Sequence, residues 1–244
     1  MKTILTSTLL SLLALSPAFP GPKEDVKAAV EKLAGAANYT WVTKAEMAGG
    51  NFTPPTITGK AEKGGFVVIQ QEREGNVSWA VLKGEKGVAK TDDGWKTAEE
   101  IRAAAQGGGG GGGFMRGMLL RVRPLAEEAG RIADRVKELK GADGVVSGDL
   151  TEEGAKELLS FRGGRPGGQG GGGGGQGPEV KGAKGSVKYW IKDGQLAKME
   201  VKLAGSMTTR DGQEREVGRT TTYEIKDVGT TKVEAPDDAK KKLD

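Results

Sequence analysis

Two glycine-rich tracts limit what this 244-residue chain can fold into. The chain holds 42 glycines, and much of the excess over average usage lies in Gly107–Gly113 and Gly163–Gly177. Glycine runs lose much backbone entropy on folding and have no side chains to bury in return. We therefore expect residues 106–114 and 163–178 to be flexible linkers or disordered loops. The core must come from the segments around them.

The first eighteen residues have the pattern of a secretory signal peptide. Lys2 supplies a positive charge, residues 4–15 are mostly apolar but too short to span a bilayer, and Ser16-Pro17-Ala18 supplies small residues for cleavage. The sequence predicts a signal peptide over 1–18 and export to the periplasm or beyond the cell. Residues 19–244 are predicted to form a single α+β domain, interrupted by the two linkers and without a transmembrane segment.

The composition argues against most site chemistry. The chain has neither histidine nor cysteine, so it lacks the imidazole base of nucleophilic triads and the usual side-chain ligands of zinc, copper, haem and iron–sulfur clusters. We expect no cofactor, no metal and no enzymatic activity, with a hydrolase that uses carboxylates alone as the remaining catalytic alternative. The 37 basic and 33 acidic residues are interspersed, which predicts no nucleic-acid partner.

Alternating apolar residues predict an antiparallel sheet. Tyr39, Trp41, Ala45 and Met47 alternate with polar residues, and four further short strands with glycine-containing turns follow up to about residue 91. After the second tract, Asp193-Gly194 is a hairpin signal between two alternating strands. Neither set of strands makes a convincing core alone, so we expect the two sets to complete one sheet.

Two of these strands are apolar on both faces. Phe66–Ile69 and Val77–Leu82 would expose hydrophobic surface unless a helix, a partner or a ligand covered the second side of the sheet. Apolar residues at helical spacing predict a helix over 124–140, which we expect to cover the sheet. A helix that binds a partner or a membrane surface is the alternative.

Shorter helices are predicted in three other places. One begins at Pro22 and ends at Gly35. A second is capped by Asp149 or Thr151, and a third begins at Pro236. The predicted fold class is therefore α+β, with a mainly antiparallel sheet.

The C-terminal part carries a family resemblance. The run GSVKYWIKDGQLAKMEVKL, residues 185–203, resembles the recurring hairpin of exported bacterial carriers of the LolA, LppX and RseB type. The ending IKDVGTTKVEAPDDAKKKL is similar to that of uncharacterised secreted bacterial proteins. The resemblance implies a curved antiparallel sheet that forms an incomplete barrel, with helices packed on one face. It also implies binding of acyl chains, lipoproteins or envelope partners rather than catalysis.

Large apolar residues are the candidates for a ligand site. The six candidates are Trp41, Phe66, Val68, Trp79, Val81 and Trp190, and the alternative is that they only fill the core. Our leading hypothesis is a non-enzymatic exported protein that holds a lipid or acyl chain, or a lipoprotein, in the concave face of the sheet. The alternative is a cell-envelope interaction or sensor module, whose concave face is filled by its own helix and which binds a protein partner.

Overall fold

The structure is a computed structural model that describes residues 21–48, 53–106, 117, 119–160, 180–208 and 212–244. The predicted signal peptide over 1–18 lies outside these ranges. So do residues 107–114 of the first predicted linker and all of 163–178. The expectations for these segments remain predictions.

Every strand in the described ranges belongs to one antiparallel sheet of eleven strands. The first six strands are β1 (Asn38–Ala48), β2 (Thr56–Glu62), β3 (Phe66–Arg73), β4 (Asn76–Lys83), β5 (Lys86–Thr91) and β6 (Gly94–Thr97). The other five are β7 (Lys140–Ala142), β8 (Val145–Asp149), β9 (Val180–Lys192), β10 (Gln195–Thr208) and β11 (Glu214–Lys226). The spatial order is β6-β5-β4-β3-β2-β1-β11-β10-β9-β8-β7, and the sheet does not close.

The two sets of strands join through β1 and β11. Trp41 lies opposite Ile225, and Met47 lies opposite Arg219. This pairing places the N-terminal meander beside the C-terminal hairpins, as the sequence analysis expected. The predicted α+β class with an open, curved antiparallel sheet is confirmed.

Five α-helices occur in the part of the chain that the structure describes. They are α1 (Pro22–Gly35), α2 (Ala98–Gln106), α3 (Leu125–Ala133), α4 (Glu152–Leu159) and α5 (Asp237–Leu243). Proline in the first turn and the acidic residues Glu24 and Asp25 favour the start of α1. The hydroxyl of Thr151 accepts a hydrogen bond from Gly154 N at 3.0 Å. Thr151, and not Asp149, is therefore the N-cap of α4.

The predicted helix over 124–140 is wrong in its second half. Helix α3 ends at Ala133, and the chain then turns so that Lys137 N donates to Asp149 O at 2.9 Å. Residues 140–149 form the β7–β8 hairpin, which turns at Asp143-Gly144 with positive φ at both residues. Asp-Gly is a strong signal for such a turn. Here it overrides the helical spacing of apolar residues that continues past Ala133.

The sheet has an inner and an outer face, and both are buried over β3–β5. The inner face carries Trp41 and Ile69 and packs with α1, α3 and α4 in the main core. On the outer face, Val68, Val81 and Val88 lie opposite one another across three strands. The C-terminal segment 231–244 covers them with Ala235, Ala239 and Leu243. The cover that the two-faced strands require on the outer face is thus α5, while α3 lies on the inner face.

Two buried tyrosines hold α3 on the inner face. Tyr39 Oη accepts a hydrogen bond from Ala126 N at 3.2 Å, and Tyr189 Oη donates one to Ala129 O at 3.1 Å. Burial raises the pKa of both phenols, so each remains protonated at neutral pH. The two contacts fix the distance between α3 and the sheet and therefore shape the space beneath the helix.

Candidate ligand cavity

A cavity of about 260 Å³ lies between the inner face of the sheet and the helical layer. Strands β1, β2 and β11 form one wall, and α3, α4 and the turn before α3 form the other. The apolar lining residues are Trp41, Ile57, Val122, Leu125, Leu158 and Tyr223. The other eight lining residues are polar or charged, among them four arginines and two glutamates.

Trp41 forms part of the sheet wall and is only 1% exposed. Its strand partner on β2 is Gly59, which leaves room for the indole above the backbone. The ring of Tyr39, two residues earlier on the same strand, has its centroid 5.7 Å from that of the Trp41 ring. Contacts with Gly59 of the neighbouring strand and with Tyr39 of its own strand therefore fix the orientation of this indole.

Ion pairs join α3 to α4 beside the cavity. Arg131 bonds Glu128 at 2.9 Å and Glu157 at 3.0 Å, and Arg135 bonds the second oxygen of Glu157 at 2.6 Å. Glu128, Arg131 and Glu157 line the cavity, and the pairing compensates their charges. This network ties the two helices together where they form the cavity wall.

Arg219 enters the cavity from β11. Its Nη2 donates to Leu158 O at 2.8 Å, which links the sheet wall to α4. Its Nε atom is buried and has no hydrogen-bond acceptor among the described residues. Nearby, burial raises the pKa of Tyr223, Glu128 raises it further, and Arg219 and Arg131 oppose the shift. The Tyr223 hydroxyl is therefore neutral and can donate or accept a hydrogen bond.

The structure separates the six candidate residues from the sequence analysis. Trp41 lines the inner cavity. Phe66, Val68, Trp79 and Val81 lie together on the outer face, in the cluster that the C-terminal segment covers. Trp190 is half-buried on the outer face of β9, where Lys198 Nζ lies 4.4 Å from its ring centroid. A ligand-binding role for these six residues remains a prediction.

Sequence reasoning missed most of the cavity lining. Alternation along β11 places Tyr223 and Arg219 on the same face, and helical spacing places Leu125 and Leu158 on buried faces of α3 and α4. These patterns mark each residue as inward-facing. They contain no signal that residues of β2, β11 and two helices converge on one space.

A second, larger space of about 780 Å³ lies across strands β1, β11, β10 and β9. Cross-strand pairing places Ser186, Lys202, Thr220 and Glu46 in one row of outer-face residues. The next row holds the small residues Ala204, Gly218 and Ala48, with Lys184 opposite Ala204. We call this space the outer groove. Small side chains form the floor of the outer groove and charged side chains form its borders, so it differs in chemistry from the inner cavity.

The comparisons with known proteins add two structures. No family model matches the chain, and no curated protein matches it. The crystal structure of LprF from Mycobacterium bovis is similar over 89% of this chain and 97% of its own, with 11% identity and a TM-score of 0.44. A LolA superfamily protein from Nitrosomonas europaea is similar over 88% of this chain and 96% of its own, with 7% identity and a TM-score of 0.36.

The sheet and helices of this chain have the layout that the sequence resemblance implied. The sheet is open and antiparallel, and α1, α3 and α4 lie on its inner face, while α5 lies on the outer face. That agreement concerns the fold. At these TM-scores nothing about a ligand is taken from the two similar structures.

None of the helices in the described ranges is long and apolar enough to cross a membrane.

Proposed function

We propose that this protein is an exported, non-enzymatic binding protein that holds a lipid or acyl chain in the inner cavity. The observation that carries the proposal is the partly open space between the sheet and α3–α4, with Trp41 and Tyr223 among the apolar residues of its wall. Each methylene group moved from water into such a space contributes about 0.8 kcal/mol. Export is proposed from the signal-peptide pattern of residues 1–18.

The size of the cavity supports a slender ligand. Its volume of about 260 Å³ lies just below the range of roughly 300–1,000 Å³ that holds drug-sized ligands. One acyl chain, or the end of one, suits this space better than a complete diacyl lipid. A larger ligand would require α3 or α4 to move away from the sheet.

The state of the polar groups supports binding rather than catalysis. Glu128 and Glu157 are ion-paired with arginines, and the raised pKa of Tyr223 keeps its hydroxyl protonated. None of these three groups is arranged as a general base. Their role is to complete the wall of the cavity and hold its shape.

The first test is native mass spectrometry of the protein purified from a bacterial periplasm without detergent. The proposal expects additional mass that dissociates as a lipid or fatty acid. A titration with fatty acids should then change the fluorescence of Trp41 in a saturable way. An apo mass together with no saturable change would contradict the proposal.

A matched pair of variants locates the site. Thr43 and Thr222 are both half-buried strand residues, but Thr43 lines the inner cavity and Thr222 is on the outer face. Thr43→Phe should fill the cavity and weaken ligand binding at least about tenfold, because the added ring excludes part of the ligand's acyl chain. Thr222→Phe should bind as the wild type does. Equal binding by both variants would place the ligand elsewhere.

The outer groove favours a second candidate function, a cell-envelope interaction or sensor module. Its charged borders, with Lys202 and Glu46 in one row, suit a polar protein partner better than a lipid. Cross-linking in the periplasm should then capture one partner in a stable stoichiometry. Lys202→Glu should reduce that capture and leave fatty-acid binding unchanged.

A further inference from the structure

We infer that the ligand of the inner cavity carries an anionic head group and that Arg219 binds it. The inference rests on the proposed function and narrows its ligand to an anionic, single-chain amphiphile. It is carried by the charge and hydrogen bonding of Arg219, which the contacts of the described residues leave incomplete.

Positive charge exceeds negative charge in the cavity lining. Four arginines and two glutamates line it. They are Arg121, Arg123, Arg131 and Arg219, with Glu128 and Glu157. Arg131 is paired with both glutamates, and Arg123 is paired with Glu127 outside the lining. Within the described ranges, no carboxylate lies within ion-pair distance of Arg219. The half-buried guanidinium of Arg219, which also borders the outer groove, is therefore a cation in the cavity wall without an ion-pair partner among the described residues.

The hydrogen bonding of Arg219 shows the same deficit. Its Nη2 is bonded to Leu158 O, while the buried Nε has no acceptor among the described residues. A buried donor such as this Nε is unfavourable without a partner. A carboxylate or phosphate oxygen would supply both the acceptor and the negative charge.

The neighbours of Arg219 define the rest of the ligand. Trp41, Ile57 and Leu158 line the same cavity and offer it a mainly apolar surface. Tyr223 lies between the two kinds of surface, and its protonated hydroxyl can add a hydrogen bond to an anion. An anionic head group attached to one apolar chain satisfies both surfaces at once.

Three ligands with the same sixteen-carbon chain test the inference. They are palmitate, hexadecyl phosphate and hexadecanol, measured with the full chain below the concentration of micelle formation. We expect at least one anion to bind roughly 10- to 100-fold more tightly than the alcohol, the range for hydrogen bonds to charged groups. Comparison of palmitate with hexadecyl phosphate then distinguishes a fatty acid from a phosphate-bearing lipid.

Three variants assign the preference to Arg219. Arg219→Met keeps the apolar stem and removes the charge, so it should reduce the anion-to-alcohol affinity ratio to about one. Arg219→Lys keeps the charge without the planar guanidinium and should retain part of the ratio. Arg215→Met is the control, because Arg215 is an exposed arginine of the same strand that does not line the cavity. Its ratio should equal that of the wild type.

The outcomes separate the inference from the proposed function. Equal wild-type affinities for all three ligands would overturn the anionic head group and leave the lipid-binding function standing. Binding of none of them would overturn the function as well. An Arg219→Met protein that loses all three ligands equally would show that Arg219 only supports the fold. If that variant does not fold, Arg219→Lys and the decline of the wild-type ratio with added salt test the same charge.

Discussion

The indole ring of Trp41 lies directly over Gly59, its partner across β1 and β2. A Cβ atom at Gly59 would overlap the ring of Trp41. Gly59→Ala should therefore displace the indole, lower the free energy of unfolding by about 1–3 kcal/mol and alter the cavity. Urea unfolding followed by tryptophan fluorescence measures both the loss and the changed environment of Trp41.

Gly130 is the control for this prediction. A Cβ there would lie 3.6 Å from Val30 Cγ1, which is an ordinary contact. Gly130 is inside α3, where alanine is favoured over glycine by roughly 0.5–1 kcal/mol. Gly130→Ala should be neutral or stabilising. If Gly59→Ala is as stable as Gly130→Ala, the close packing of Trp41 on β2 is wrong.

Glu100 predicts an acid-dependent loss of stability. It forms a capping box with Thr97 at the start of α2, and its other oxygen binds Lys242 Nζ of α5 at 2.7 Å. The hydrogen bond from Lys242, followed by that from Thr97 N, lowers the pKa of Glu100 from 4.5 to about 2. Because the pKa is lower in the folded state, these contacts stabilise the protein above pH 4.5. The contribution is lost as the pH falls through about 2.

The measurement is the stability of Glu100→Gln relative to wild type across the acid range. The difference should be constant above pH 4.5 and shrink towards zero near pH 2. Glu99→Gln is the control, since Glu99 is exposed in the same turn and forms no such box. A difference for Glu100→Gln that does not change with pH would contradict the assigned contacts.

The buried hydrogen bond between Thr40 and Thr231 predicts that mutations of the two residues have non-additive effects on stability. Their hydroxyl oxygens lie 2.8 Å apart in a buried contact, and Thr231 donates its own proton to Asp227 O at 2.9 Å. Thr40 is therefore the donor to Thr231. Thr231→Val leaves the Thr40 hydroxyl buried without an acceptor and should cost about 1–3 kcal/mol.

The double variant Thr40→Val/Thr231→Val should recover part of that loss, because both polar partners are then removed. Thermal unfolding of the two single variants and the double variant measures the coupling. Thr230→Val changes an exposed neighbour and should have little effect. Strict additivity of the two single changes would argue against a direct hydrogen bond.

The packing of Leu243 indicates how much α5 contributes to stability by covering the outer face. It is 2% exposed and packs in the cluster with Val68, Val81 and Val88. Leu243→Ala should cost roughly 2 kcal/mol, near the lower end for a buried leucine because a terminal helix can adjust. The fluorescence of Trp79 and Trp95, which pack against this cluster, should shift to longer wavelength.

Lys241→Ala is the comparison, since Lys241 is exposed and, among the described residues, its ion pair is with exposed Asp238. It should leave both stability and fluorescence close to wild type. If Leu243→Ala has no larger effect than Lys241→Ala, α5 does not cover the outer face in solution.

Much of the local structure could be predicted from the sequence because it depends on neighbouring residues. Alternation identified the strands around Trp41 and Tyr189, and the Asp193-Gly194 turn identified the hairpin between β9 and β10. Helices α1 and α5 begin close to the proline and acidic residues that mark them. The same local reasoning failed past Ala133, where pairing with β8 overrides a continuing helical pattern.

The candidate site was less predictable. The unbroken apolar run Phe66–Ile69 could show that this strand needs cover on both faces, but it could not identify the residues that cover it. The residues that supply it, at 235–243, are more than 150 positions away in the chain. The apolar residues of these two-faced strands are divided between the main core on the inner face and the cluster beneath α5 on the outer face.

The sequence by itself determined the side of each strand on which a residue lies, since side chains alternate with the pleat of the backbone. It also determined the turns and helix starts that short-range hydrogen bonds favour. Only the tertiary structure decided that β1 pairs with β11, that α5 covers the outer face, and that Arg219 lies in the wall of the inner cavity. Those outcomes depend on how distant segments pack together, and a cavity is the space that such packing leaves unfilled.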